Sequence, residues 1–254
     1  HTFLSKNTKN LKPVDCGANY WVDYRIYKPN IDIVKDIDII MVSSWAKFKR
    51  HSLVFKTLKS LKDKGVLLNI SLVGYPIDMT KDDIHQLAKY YNIHQQVEIF
   101  ENLKPEEVAV QYNRAKVNLL WSKREGINRS IIEGMFCNVP CILTEGFNYG
   151  HKYSYINSKT GLFLKNNSLD VGILDVLNNL DSYSPRNYVE KNVTWEKALD
   201  IIANEINKNI DSSESINRNE LTGKINNLNG MEYFYKEDEH RFCNDYSYLL
   251  ANVC

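Results

Sequence analysis

"KVNLLWSKREGINRSIIEGMFCNVPCILTE" (residues 116–145) decides how this chain folds. "KVNLLWS" is an apolar run of strand length. "NRSIIEGMFCN" carries its apolar residues at helical spacing, and "VPCILTE" is a second strand. A strand, a short loop, a helix and another strand within so few residues make a crossover unit, so the two strands run parallel. The loop and helix between them hold two glutamates, Glu125 and Glu133, each followed by a glycine.

The same rhythm continues on both sides. Upstream, "DIDIIMVSSW" is rich in Ile and Val and is bounded by acidic residues and serines, the pattern of a strand buried on both faces. In "SLVFKTLKSLKDKG" Leu53, Val54, Leu58 and Leu61 fall at helical spacing, with Gly65 as a stop. "VLLNISLVGY" is a further strand closed by Gly74. "TKDDIHQLAKYYNI" is a helix with Thr80 as its N-cap and Asp83 completing a capping box. "QVEIF" is a short strand. "KPEEVAVQYNRA" opens a helix with Pro105 and two glutamates, as the positive end of a helix favours. Downstream, "TGLFLK" is a strand, and "SLDVGILDVLNNL" and "TWEKALDIIANEIN" are helices.

Alternating strands and helices predict an α/β fold, a Rossmann-like parallel sheet with helices on both faces and right-handed crossovers. Residues 31–210 form that domain, residues 1–30 a linker or the end of a preceding domain, and residues 211–254 an appendage. Within the appendage, "EYFYKEDEHRF" has helical composition with a poor apolar face. The chain opens on His1 and a polar stretch, which reads as a piece of a longer polypeptide or a processed one.

Composition excludes several classes. The formal net charge is +1 over 254 residues, which gives no global field for nucleic acid or an anionic membrane. No apolar run is long enough to be a transmembrane segment, and no secretory signal is visible. The five cysteines, Cys16, Cys137, Cys141, Cys243 and Cys254, are sparse and odd in number, which suits reduced thiols in a cytoplasmic protein. No second Cys/His pair stands at zinc-finger distance from Cys137 and Cys141, so they read as buried thiols, not a metal site.

In parallel α/β sheets, ligands bind beyond the carboxyl ends of the strands. The loop after "VNLLWS" is such an end. Free amides at the helix start form an anion site together with the helix dipole. Gly126 permits close backbone approach, and Lys123 and Arg129 add positive charge. Glu133, about one turn into the helix, can accept hydrogen bonds from paired hydroxyls such as those of a ribose. Glu125, before the helix, suits hydroxyls beyond a diphosphate. The pair fits a nucleotide diphosphate sugar, though such spacing is not unique to one ligand. The loop after "DIDIIMVSSW" is basic. Its charge run is either a second face of the site or a solvated helix start, and His51 reads as a helix-start residue.

The stretch resembles the donor-binding motif of family 4 glycosyltransferases, which have the two-domain GT-B architecture. The resemblance runs through Glu125, Gly126, Asn128, Arg129, Glu133, Val139 and Pro140, with "TGLFL" similar to the strand after the motif. "LVGYP" resembles the glycine turn after the second donor-domain strand, and "CGANYWVDYRIYKP" the linker into that domain. The match covers about residues 14–207.

The resemblance implies a retaining, metal-independent hexosyltransferase without a cofactor, its substrate a nucleotide diphosphate sugar. Glu125 would contact the sugar and Glu133 the ribose. The amides of Ile127, Asn128 and Arg129 would bind phosphate or sugar, and Asn102 and Leu103 would border the base. Gly74 would serve either the donor site or a turn alone. The family's arginine–lysine pair falls on Ser44 and Lys49, so the arginine is absent; Lys47 or Arg50 would compensate. Catalysis would rest on Lys49 and Glu125. His151, Lys152 and Tyr155 of "GFNYGHKYSYI" would line the donor pocket or be plain surface and packing. The acceptor, a glycan or lipid-linked sugar, would bind an N-terminal domain missing from this chain. The alternative is a catalytically degenerate nucleotide-binding domain of a larger protein.

Overall fold

The computed structural model describes residues 6–8, 11–147, 149, 153–209, 215–227 and 230–253. The chain divides into two compact units, Tyr24–Lys191 and His1–Asp23 with Asn192–Cys254.

The larger unit is a six-stranded parallel sheet. Its elements in chain order are β1 (Ile37–Val42), α1 (His51–Asp63), β2 (Ile70–Gly74), α2 (Lys81–Tyr90), β3 (Val97–Glu101), α3 (Pro105–Arg114), β4 (Ala115–Leu120), α4 (Arg129–Phe136), β5 (Cys141–Thr144), β6 (Gly161–Leu164), α5 (Leu169–Asn178) and α6 (Pro185–Asn192). The strands lie in the order β3-β2-β1-β4-β5-β6. Winding proceeds outward in one direction from β1 and then reverses from β4, so the topological switch point lies between β1 and β4. There Ile39 pairs with Val117 and Ile40 with Asn118. In open α/β sheets a crevice opens at this point, because the two connecting loops leave in opposite directions.

Alternation along the buried strands sends side chains to both faces. On one face Ile39, Met41, Ile70, Leu72, Val117, Leu119 and Ile142 pack with Val54, Phe55, Leu58 and Leu61 of α1, Ile84 of α2 and Ile173 of α5. α3 and α4 pack together, and they are joined where the Tyr112 hydroxyl donates to the Ser130 carbonyl at 2.7 Å. A fully buried ring such as Phe55 contributes about 3–5 kcal/mol against alanine. The capping box of α2 is present: Thr80 Oγ1 accepts from the Asp83 amide at 3.2 Å, and the Asp83 carboxylate accepts from the Thr80 amide at 2.8 Å. Gly161 opens β6 at φ +155°, and a Cβ there would lie 2.0 Å from the Cys141 carbonyl oxygen. The glycine of "TGLFL" therefore exists so that β6 can close against β5.

In the smaller unit, α7 (Trp195–Asn207) is capped by Thr194, whose Oγ1 accepts from the Lys197 amide at 3.4 Å. β7 (Lys224–Asn227) and β8 (Gly230–Tyr233) form an antiparallel hairpin, and α8 spans Cys243–Val253. The Trp195 ring packs at a tilt against Phe234 with centroids 4.9 Å apart. "EYFYKEDEHRF" is thus not one helix: it begins in β8 and continues into a 3-10 turn at Lys236–His240. Aromatic residues alternating beside Gly230 favour a strand, and the apolar face a helix would need is missing. Among the described residues no helix is long and apolar enough to cross a membrane.

Candidate functional site

Two loops meet at the switch point. The first leaves β1 through Ser43 to Lys49, ending in a 3-10 turn (Lys47–Lys49). The end of β2 makes room for it: a Cβ on Gly74 would lie 2.1 Å from the Ser43 carbonyl oxygen and 2.7 Å from Trp45 Nε1. Gly74 thus serves close packing under this loop. The second loop leaves β4 at Trp121 and enters α4 at Arg129.

Main-chain and side-chain bonds stitch the loops together. The Lys123 amide donates to the Phe48 carbonyl at 2.8 Å. Arg50 Nε donates to the Trp121 carbonyl at 2.6 Å, and Arg50 Nη1 donates to Asn166 Oδ1 at 2.8 Å. The Arg124 guanidinium lies over the Phe48 ring. At the centre Lys49 and Glu125 form a hydrogen-bonded ion pair, their side chains only 8% and 9% exposed. Residues 76 positions apart are thereby brought into one buried charge pair.

Arg50 occupies the left-handed region at φ 58°, a conformation that is uncommon outside glycine. Its guanidinium turns inward, between Trp121 and Phe147, with centroid distances of 5.4 and 4.6 Å. Its bonds go to Trp121 and Asn166, while Lys47 is exposed. Ser44, at the position of the absent arginine, is half-buried. His51 is buried as the first residue of α1; burial, and then the Lys49 charge, push its pKa down to about 4, so the ring is neutral.

Glu133 lies on α4 with its side chain 11% exposed. Burial raises its pKa to about 7, partly offset by the Arg129 guanidinium at 3.9 Å. α4 begins with Asn128 as N-cap, whose Oδ1 accepts from Ser130 Oγ at 2.6 Å. Its start differs from a row of open amides in one respect: the Asn128 amide donates to the Tyr153 hydroxyl at 3.2 Å. The amides of Ile127 and Arg129 have no hydrogen-bond partner among the described residues. Gly126 is exposed, and a Cβ on it would meet nothing within 4 Å.

Asn102 sits at the carboxyl end of β3 in the left-handed region, its amide donating to the Gly74 carbonyl at 2.9 Å. Leu103 beside it is half-buried. Tyr155 is buried, whereas His151 and Lys152 lie outside the described residues. Cys137 and Cys141 are both buried, and burial raises the Cys137 thiol to about 12, so it is an inert core thiol. Three contributors were not anticipated from sequence. Tyr149 and Tyr153 reach the second loop from the segment after β5, and Asn166 receives Arg50. The signals in the sequence are the place of "GFNYGHKYSYI" beside the donor pocket, which the resemblance implies, and the recurrence of tyrosine at 149, 153 and 155.

Comparison with known proteins identifies the family and the fold. The family described as "Glycosyl transferases group 1" matches residues 25–194. No curated protein matches the sequence. Among solved structures, the chain is similar to sucrose-phosphate synthase (tll1590) from Thermosynechococcus elongatus. The TM-score is 0.61 at 20% identity, covering 78% of this chain and 53% of that one. It is similar to a mutant of S. aureus TarM in complex with fondaparinux, alpha-GlcNAc-glycerol and UDP, with TM-score 0.63 at 17% identity, covering 81% of this chain and 41% of that one. A glycosyltransferase from Rickettsia africae ESF-5 gives TM-score 0.59 at 20% identity, covering 76% of this chain and 56% of that one. At such identities the likeness is one of fold, and the chain spans about half the length of these proteins. With the family matched from the strand-entering linker to the end of α6, the chain belongs to the group 1 glycosyl transferases.

Proposed function

We propose that this chain is the donor-binding half of a retaining, metal-independent glycosyltransferase. It transfers a hexose from a nucleotide diphosphate sugar to a glycan or lipid-linked acceptor held by a second, N-terminal domain. The observation that carries this reading is the meeting of Lys49 and Glu125 across the β1/β4 switch point, beside the start of α4. Lys49 and the amides of Ile127 and Arg129 neutralise the leaving diphosphate. Such electrostatic donors, aimed where charge develops, contribute about 3 kcal/mol each in comparable oxyanion sites. Glu125, released from Lys49 as the diphosphate arrives, accepts from sugar hydroxyls, and Glu133 accepts from the ribose. The arrangement needs no metal because the positive charge is supplied by the protein. A cytoplasmic location is part of the same proposal.

A thermal-shift scan of uridine, guanosine and adenosine diphosphates tests it. A bound nucleotide at a hundred times its dissociation constant stabilises the fold by about 2.7 kcal/mol. No shift with any of them overturns the reading. One observation favours a second reading, a nucleotide-binding domain without turnover. Ser44 stands where the resemblance expects an arginine, and the nearby Arg50 is committed to Trp121 and Asn166. Binding without hydrolysis or transfer, once the chain is joined to its acceptor half, would select that reading.

A further inference from the structure

Lys49 holds the Glu125 carboxylate, but the turn that carries it into α4 is open at Gly126. Gly126 has open space where a side chain would be, and glycine samples many backbone conformations. Yet the function proposed above, on which this inference rests, needs Glu125 and the adjacent amides in one arrangement. What holds the turn comes from another part of the chain. The Tyr153 hydroxyl donates to the Gly126 carbonyl at 2.9 Å and accepts from the Asn128 amide at 3.2 Å. A single phenol oxygen therefore spans the turn. Burial keeps this phenol well above its ordinary pKa, so it remains a donor.

Tyr153 is itself firmly placed. It is 5% exposed, and its ring packs against Tyr149 and Tyr155, each with centroids 5.2 Å away. The Tyr149 hydroxyl reaches the Ser122 and Thr144 carbonyls at 3.1 and 3.2 Å, which fixes the tyrosine pair to the ends of both β4 and β5. The tyrosines thus form a packed, hydrogen-bonded cluster beside a turn that is open at Gly126.

We propose that Tyr153 is the positioning residue of the donor site. Its hydroxyl, bridging Gly126 and Asn128, fixes the turn so that Glu125 and the Ile127 and Arg129 amides meet the diphosphate end of the ligand preformed. The Asn128 amide is a structural bond in this arrangement, not a ligand contact. Ordering the turn in advance removes an entropy cost that the ligand would otherwise meet on binding.

Tyr153→Phe tests this, because it keeps the ring and deletes the hydroxyl. Titration calorimetry compares the nucleoside diphosphate that binds the wild-type chain with the matching monophosphate, which lacks the distal phosphate. The expected result is a dissociation constant about tenfold weaker for the diphosphate, equivalent to about 1.4 kcal/mol, and less than about twofold weaker for the monophosphate. Equal losses for both ligands, or none, overturn the inference while leaving the donor-site reading intact. A wild-type chain that binds no nucleoside diphosphate overturns both. Should the variant not fold, hydrogen exchange of the Asn128 amide in the ligand-free wild type decides. Slowed exchange supports the bridge, and exchange at the rate of an open amide overturns it.

Discussion

Glu125 and Glu133 belong to one short stretch, yet the fold holds their carboxylates in opposite ways. Glu125 sits on a loop and is matched by a cation from the far side of the switch point, Lys49. Glu133 sits on a helix, and its nearest cation, Arg129, is 3.9 Å away and 41% exposed. One carboxylate is desolvated and closely paired; the other is desolvated, and the distant Arg129 guanidinium and the Tyr112 hydroxyl offset this only in part, so its pKa rises to about 7. Burial disfavours a charge unless a partner restores what water supplied. Glu125 is held by its ion pair with Lys49, whereas Glu133, with a pKa raised to about 7 by burial, is divided between its two protonation states near neutral pH.

The sharpest way to break this contrast is to take away the partner of Glu125. Lys49→Met leaves a carboxylate that is 9% exposed without its cation. Removing one member of a buried pair costs about 3–5 kcal/mol, mostly through the charge left behind. The urea midpoint of the larger unit should fall accordingly, and adding Glu125→Gln should restore most of it. A loss below about 1 kcal/mol would mean the pair behaves as a screened surface bridge.

Glu133 should show the converse, a dependence on pH without a partner's removal. Its ordinary pKa is 4.5 and its folded value about 7. Between those values the unfolded chain has lost a proton that the folded chain retains. Its contribution is therefore full below pH 4.5 and is lost as pH rises through 7. At about 1.4 kcal/mol per unit, the span amounts to about 3 kcal/mol. Glu133→Gln should match the wild type in stability near pH 4 and exceed it at pH 8, as read from the difference in urea midpoints. A constant difference would show that the carboxylate is solvated. Glu133→Ala should weaken nucleoside diphosphate binding by about 1.5–3 kcal/mol in titration calorimetry, the range for hydrogen bonds to a charged group. Unchanged affinity would remove Glu133 from the ribose role.

The half of this contrast that sequence makes legible is the half written locally. "DIDIIMVSSW" and "KVNLLWS" are apolar over strand length, so β1 and β4 are readable. Thr80 with Asp83, and Pro105 with its glutamates, mark helix starts by chemistry within a few residues. Glu133 is readable as a helix residue near the loop. What is not readable is tertiary. No local pattern pairs Lys49 with Glu125; the family resemblance alone assigns both to one site, and the strand order that sets β1 beside β4 is what brings them into contact. The inward turn of Arg50 depends on a left-handed backbone and on receptors at Trp121 and Asn166. Tyr153 lies in an irregular segment, where periodicity says nothing about direction. Composition allows a helix across "EYFYKEDEHRF" but gives it a poor apolar face, and the backbone there forms a strand and a separate turn.

The finest test lies between the two glutamates, at Arg129. If burial sets the Glu133 pKa, this half-exposed guanidinium can lower it only a little, because water and salt screen a charge so placed. Exposed pairs contribute up to about 1 kcal/mol, which corresponds to about 0.7 pH unit. Arg129→Gln should therefore move the Glu133 transition upward by less than that. The shift can be followed by NMR of a carboxyl-labelled glutamate, and raising salt in the wild type should reproduce part of it. A rise well beyond one unit would assign the proton affinity of Glu133 to the loss of a true partner. The two carboxylates would then differ only in how far their cations stand, not in the way the fold holds them.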